Sequence, residues 1–148
     1  MRKTALIVLA TALWIAACAT RAAGPPLIVV DRSACSHCGM LISERIYAAA
    51  LRTPDGREQV FDDIGCLLRF VRDESIEQST FWFHDAGDGH WIDGRAAVFV
   101  RSTAFHTPMG GGVIASRDLG SAERVAAANG GAVVRSMDAL LAQTGAQQ

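Results

Sequence analysis

Two stretches of this chain carry the same short pattern, Asp63-Ile64-Gly65-Cys66 and Asp118-Leu119-Gly120-Ser121, and each runs into residues with helical apolar spacing. An aspartate just before such a run is an N-cap signal, because its carboxylate accepts from the free backbone N–H groups of the first turn. After Asp62 or Asp63, either of which can cap the helix, the residues Ile64, Leu67, Leu68 and Val71 fall at i, i+3, i+4 and i+7, which predicts one buried face and a helix to about Arg72. After Asp118, the residues Leu119, Ala122, Val125 and Ala126 form the matching face, and Asn129-Gly130 supplies the stop. A duplicated structural unit is therefore expected.

The residues around these helices read as strands. Tyr47 to Leu51 and Gln59 to Phe61 flank Pro54-Asp55-Gly56, whose turn chemistry predicts a β-hairpin, and Phe81-Trp82-Phe83 and Val133-Val134 are returning strands. Leu27-Ile28-Val29-Val30 is a further strand candidate. Upstream of the second helix, Val113 to Ser116 aligns loosely with Tyr47 to Ala50, and Met109 with Met40, which would set the two methionines at similar places in two related units. The expected class is α+β, with two related ββαβ-like subdomains, about 27–85 and 86–148, whose small, mostly antiparallel sheets each pack against a helix.

The N-terminus is of a different kind. Arg2 and Lys3 precede an uncharged apolar run from Ala5 to Ala17, too short to span a bilayer but of signal-peptide length. It ends in Ile15-Ala16-Ala17-Cys18, similar to a bacterial lipobox, so residues 1–17 are expected to be removed and Cys18 to become a lipidated N-terminus. The alternative is a plain secretory signal cleaved near Ala19 or Ala23. Residues 18–26, small and ending in Gly24-Pro25-Pro26, read as a tether. Ala19 carries no retention cue, so in a cell with two membranes the anchor is expected in the outer one, with the domain on the periplasmic side. What remains, about 130 residues, suffices for one compact domain or two small subdomains sharing a core. A net charge of −1 with scattered basic residues excludes a nucleic-acid footprint, and a monomer is expected.

With Cys18 lipidated, Cys35, Cys38 and Cys66 remain, an odd number for an oxidising compartment. Metal ligation explains a free thiol there; burial of Cys66 as a small hydrophobe is the alternative. Cys35-Ser36-His37-Cys38-Gly39-Met40 puts two thiols and a thioether within six residues, and His106-Thr107-Pro108-Met109-Gly110 adds another methionine in a glycine-rich loop. Thiolate and thioether sulfur suit Cu(I), whereas zinc sites use thiolate, imidazole and carboxylate. A thioredoxin-like role would need the CxxC to open a helix, and Gly39-Met40-Leu41-Ile42 has no helical pattern. Structural zinc would need a second ligand pair, and Cys66, His84, His90 and His106 show no such spacing. A Cys35–Cys38 disulfide would close too small a loop to stabilise much.

Each methionine also has a core-filling alternative, set aside for Met40 by the adjoining Cys38-Gly39 and for Met109 by its Pro108 and Gly110-Gly111-Gly112 flanks. His106 is a candidate nitrogen ligand or a loop-capping residue, and His37 is solvent-facing or supports a ligand. His84, Asp85, Asp88, His90 and Asp93 read as a solvated acidic turn around Gly87 and Gly89. The candidate metal residues are Cys38, Met40, Met109, Cys35 and His106, with Cys18 for lipid.

Taken in order, the lipobox at Cys18, Cys38-Gly39-Met40 within the CxxC, Phe61-Asp62-Asp63-Ile64-Gly65-Cys66, Asp88-Gly89-His90-Trp91-Ile92 and Thr107-Pro108-Met109-Gly110 resemble the NosL family. These copper-binding lipoproteins accompany nitrous oxide reductase. The resemblance covers essentially the whole mature chain and implies two related ββαβ units. It implies a periplasmic Cu(I) metallochaperone, without catalytic activity, that delivers copper for the reductase's copper centres through the membrane-bound Nos complex. It carries Cys38, Met40 and Met109 over as ligands, whereas Cys35 and His106 are less uniform features of the family. The rival functions are a CxxC thiol oxidoreductase and a zinc- or disulfide-stabilised structural lipoprotein.

Overall fold

A computed structural model describes residues 24–76 and 78–145; the signal segment and Cys18 lie outside the described residues. The first unit is a hairpin of β1 (Ala49–Arg52) and β2 (Glu58–Phe61), then helix α1 (Ile64–Asp73), then β3 (Thr80–His84) and β4 (Trp91–Asp93). The second repeats the plan with β5 (Val98–Arg101), β6 (Val113–Ser116), α2 (Leu119–Ala128) and β7 (Ala132–Val134), and α3 (Met137–Gly145) follows. The strand orders are β2-β1-β3-β4 and β6-β5-β7, and every pair is antiparallel. The α+β architecture of two small antiparallel sheets, each beside a helix, is the one expected from sequence.

Both caps form as the aspartates require. Asp63 accepts from Cys66 N and Asp118 from Ser121 N, each at 2.8 Å. At its other end α2 stops where Gly130 takes a φ of 59°, letting Gly131 N donate back to Ala126 O. One core joins the units: Phe61, Leu67 and Phe83 from the first pack in the same cluster as Phe99, Val113 and Val134 from the second, with Leu140 of α3. The Phe83 and Phe99 rings meet edge to face at 4.9 Å, one from each sheet. Beside them, Ala86 N donates to Ala115 O, and the Asp85 carboxylate accepts from Arg117 N and Nε at 3.0 and 2.8 Å.

Several expectations are corrected. Leu27 to Val30 is not a strand, because a turn takes its hydrogen bonds: Val29 O accepts from Arg32 N and Ser33 N, and Val29 N donates to Ser33 Oγ. The true counterpart of Val113–Ser116 is β2, since each leads into its capped helix; β1 corresponds to β5. Met40 therefore precedes β1 while Met109 lies in the β5–β6 connection, so the methionines do not hold equivalent places. His84 and Asp85 are buried rather than solvated. His84 Nδ1 donates to Ala48 O at 2.9 Å, its ring stacks on Trp91 at 3.7 Å, and burial holds its pKa below the usual imidazole value. Helix α3 had no place in the sequence reading, although Ser136 Oγ accepts from Ala139 N as a cap and Met137 and Leu140 are buried.

Candidate metal centre

The CxxC segment is a tight loop closed on itself. Cys35 N donates to Met40 O at 2.8 Å, Gly39 N donates to Cys35 O at 2.9 Å, and Gly39 takes a φ of 75° that a side chain would resist. The loop is docked on β2 by Ser36, whose N–H donates to Val60 O and whose Oγ accepts from Val60 N. Since β2 runs directly into α1, this docking carries Cys35 and Cys38 over the first turn of the helix, where Cys66 stands three residues beyond the cap. The Sγ atoms of Cys35, Cys38 and Cys66 all lie within 4.8 Å of one another, and all three thiols are free. No imidazole or carboxylate of the described residues joins that group.

The three sulfurs are not equivalent. Cys35 is buried, and the Cys66 thiol donates to its Sγ; backbone N–H groups of Cys38, Asp62 and His37 also point to it. These donors outweigh burial and hold the Cys35 pKa well below the usual thiol value, so of the pair it is Cys35 that loses its proton more readily. Cys66 is shifted the opposite way, because its proton is held in the bond to Cys35 and its own sulfur is buried. Arg69, one turn along α1, approaches Cys66 Sγ with Nη2 at 3.4 Å and works against that rise. Cys38 is half-buried and is the thiol nearest to solvent.

Two adjacent aspartates bracket the site. Asp62 Oδ1 accepts from Ser43 N at 2.9 Å, fixing the end of the segment that carries the CxxC. Asp63, with no exposed surface, caps α1 through Oδ1 and with Oδ2 accepts from Thr107 Oγ1, Met109 N and Gly111 N at 2.8, 3.2 and 3.1 Å. One carboxylate thus orients both the turn that bears Cys66 and the loop that bears Met109. The approach is close enough to need two glycines: a Cβ on Gly65 would fall 2.7 Å from Gly111 Cα.

Of the residues singled out in the sequence, Cys35 and Cys38 are brought together, and the structure adds Cys66 as the third sulfur. Met109 is half-buried and packs against the core cluster that contains Cys35 and Cys66. Met40 is 59% exposed at the end of the CxxC loop, His106 is exposed, and His37 is half-buried between the two thiols. Sequence reasoning gave Asp63 only its capping role and left Cys66 between ligand and core; Ser36 and Thr107 went unnoticed. The signal for Cys66 was its place in the first turn after Asp63, where a side chain lies beside whatever loop covers the helix end.

Comparison with known proteins places this geometry. The sequence model of the NosL family matches residues 26–141. The crystal structure of the copper chaperone NosL from Shewanella denitrificans is similar to this chain with a TM-score of 0.65 and 25% identity, over 76% of this chain and 93% of that one. No curated protein matches.

Proposed function

Because the chain belongs to the NosL family, we propose that it is a Cu(I) chaperone whose cargo sits among Cys35, Cys38 and Cys66. The observation that carries this reading is the sulfur triad itself. Three thiols within 4.8 Å, with no imidazole or carboxylate of the described residues in the group, suit a soft ion of low coordination number rather than the four-donor set of a structural zinc site. The structurally similar Shewanella denitrificans protein is described as a copper chaperone. Met40 and Met109 are the proposed thioether donors, on the exposed and the loop side of the triad respectively, with His106 on the same loop as Met109.

The chemistry is ligand exchange. Cys35, the more readily deprotonated thiol of the pair, captures the ion as thiolate, and binding displaces the proton that Cys66 directs to it. Cys38, the most accessible thiol, and exposed Met40 are where an acceptor's donor atom would enter before the buried sulfurs let go. A thiol oxidoreductase needs an attacking thiolate that a substrate disulfide can reach, and the low-pKa sulfur here is the buried one. Lipidation at Cys18 would hold the chaperone at the periplasmic face of the outer membrane, and the proposed acceptor is the Nos assembly complex that matures nitrous oxide reductase.

The test is anaerobic competition of the reduced full chain for Cu(I) and Zn(II) against chelators. One tightly held Cu(I) with zinc readily removed is expected; equal or preferential retention of zinc would overturn the assignment. Mass spectrometry of the mature N-terminus checks the anchor, which requires diacylglycerol on Cys18.

A further inference from the structure

Among the described residues the exposed large apolar side chains are Leu27, Val29, Met40, Leu41 and Ile46, and all of them precede the first strand. Scattered exposed leucines are ordinary, whereas a set gathered in one region marks a contact surface. Two neighbouring segments carry most of it. Asp31 N donates to Ile42 O and Ile42 N to Ser33 O, each at 2.9 Å, and Ala34 bridges to Leu41, so residues 29–34 lie beside residues 41 and 42. Within this layer the side chains alternate. Pro26, Ile28 and Ile42 are buried, with Ile28 and Ile42 packing in one cluster with Ala48, while Leu27, Val29 and Leu41 are exposed. The single helical turn Arg45–Tyr47, which carries Ile46, adjoins them, for Arg45 lines a recess of about 250 Å³ with Pro25, Pro26, Leu27 and Ile28.

The chain enters the domain at this face. Arg52 Nη2 donates to Gly24 O at 2.8 Å and Pro26 is buried, which pins the entry. Gly24 stands six residues after Cys18, so the backbone between them spans at most about 22 Å, less than the roughly 35 Å across a domain of this size. A lipid on Cys18 would therefore keep this face towards the bilayer. We propose that Leu27, Val29, Leu41 and Ile46 form a lipid-contact surface that seats in the interfacial layer of the anchoring membrane and sets the orientation of the domain. This rests on the lipidation of Cys18. The exposed charges beside the surface, Asp31, Arg32, Glu44 and Arg45, cancel, so they offer no net attraction for anionic headgroups and the contact is one of apolar burial. Met40 lies at its border, where Leu41 meets the CxxC loop, so the entry to the proposed copper site is held close to the membrane.

The experiment uses the mature full chain, expressed with its own signal and reconstituted in phosphatidylcholine vesicles with or without brominated acyl chains. Flotation with the vesicles reads the anchor, and quenching of a tryptophan by bromine reads the surface. Leu41→Trp and Leu27→Trp put the probe on the surface; Ala127→Trp puts it on an exposed position of α2, which packs on the second sheet. The signal of the native tryptophans is subtracted with the wild-type chain. An about twofold or greater loss of emission is expected for Leu41→Trp and Leu27→Trp and none for Ala127→Trp, whether or not phosphatidylglycerol or added salt is present. A chain that floats without quenching at either surface probe overturns the surface, leaves the anchor standing and gives this face to a protein partner. Quenching that needs phosphatidylglycerol and low salt overturns the apolar contact. A chain that does not float removes the anchor and this surface with it. Should Leu41→Trp fail to fold, Leu27→Trp, in irregular chain, decides alone.

Discussion

The first turns of α1 and α2 are two versions of one device. Each opens with an aspartate that accepts from the N–H three residues on, each has glycine two residues after the cap, and each has an arginine one turn later reaching back. Arg69 approaches Cys66 Sγ at 3.4 Å, and Arg124 donates to Ser121 Oγ at 2.9 Å. What differs is the cover. Over α1 lie the CxxC loop and the β5–β6 connection, so Asp63 and Cys66 are buried; Asp118 is exposed and Ser121 is only half-buried. The second unit lends its long hairpin connection to the first, where the equivalent β1–β2 connection is a short turn. A capped helix end is thus ordinary scaffold, and it becomes the proposed metal centre where the third helical position is a thiol and two loops close over it.

The largest expected difference between the two ends comes from the same substitution at each cap. Asp63→Asn turns one carboxylate oxygen into a donor, so either the cap or the three contacts to the 107–111 loop must fail. With buried charged hydrogen bonds each worth roughly 1.5 to 3 kcal/mol, a loss of about 3 to 5 kcal/mol is expected. Asp118→Asn should be close to neutral, because asparagine caps a helix as well as aspartate does. Urea denaturation of both variants makes the comparison, and equal losses would break it.

Next in size is Cys66→Ser, which makes the first end chemically like the second. It should keep the fold, since the cap uses the backbone N–H of residue 66, and weaken Cu(I) binding by about a hundredfold, or ~2.7 kcal/mol. Ser121→Cys should create no second copper site, because α2 has no counterpart of Cys35 and Cys38. Chelator competition reads both. A smaller effect attends Gly65→Ala, whose new Cβ would press on Gly111 Cα at 2.7 Å and cost about 1 to 3 kcal/mol. At Gly120 the nearest atom to such a Cβ is 3.4 Å away, so Gly120→Ala should be tolerated or add up to about 1 kcal/mol of helix stability.

Smallest is the link between the units. Burial tends to raise the Asp85 pKa, but the hydrogen bonds from Arg117 and from Gly87 N prevail and hold it below the usual carboxylate value. A depressed folded pKa contributes stability that is present above the unfolded value, near 3.9, and is lost as the pH falls through the folded one. Arg117→Met should therefore be slightly less stable than wild type at neutral pH, and the difference should vanish in strong acid. A gap that persists when Asp85 is protonated would assign the contribution of Arg117 to packing.

How much of this was legible in the sequence follows the range of the signals. Caps and apolar spacing are local, so α1, α2, the hairpin and the α+β class could be read directly. The CxxC loop was legible as a unit for the same reason. The pairing of β5 with β6 was not, because Val98 to Arg101 is short and separated from its partner by residues 102–112, and without it Val113 to Ser116 aligns with the wrong strand and Met109 with Met40. Cys66 was ambiguous since its role depends on which loop covers α1, a tertiary fact. The four contacts of Asp63 were hidden likewise: three of its donors lie more than forty residues away along the chain.

X-ray absorption at the copper edge, on the anaerobically loaded full chain and on Cys66→Ser, tests the three-sulfur site most directly. The wild type should show a sulfur-dominated shell that loses one short Cu–S contribution in the variant. An identical sulfur shell in both proteins would contradict the assignment of Cys66 and return it to the core.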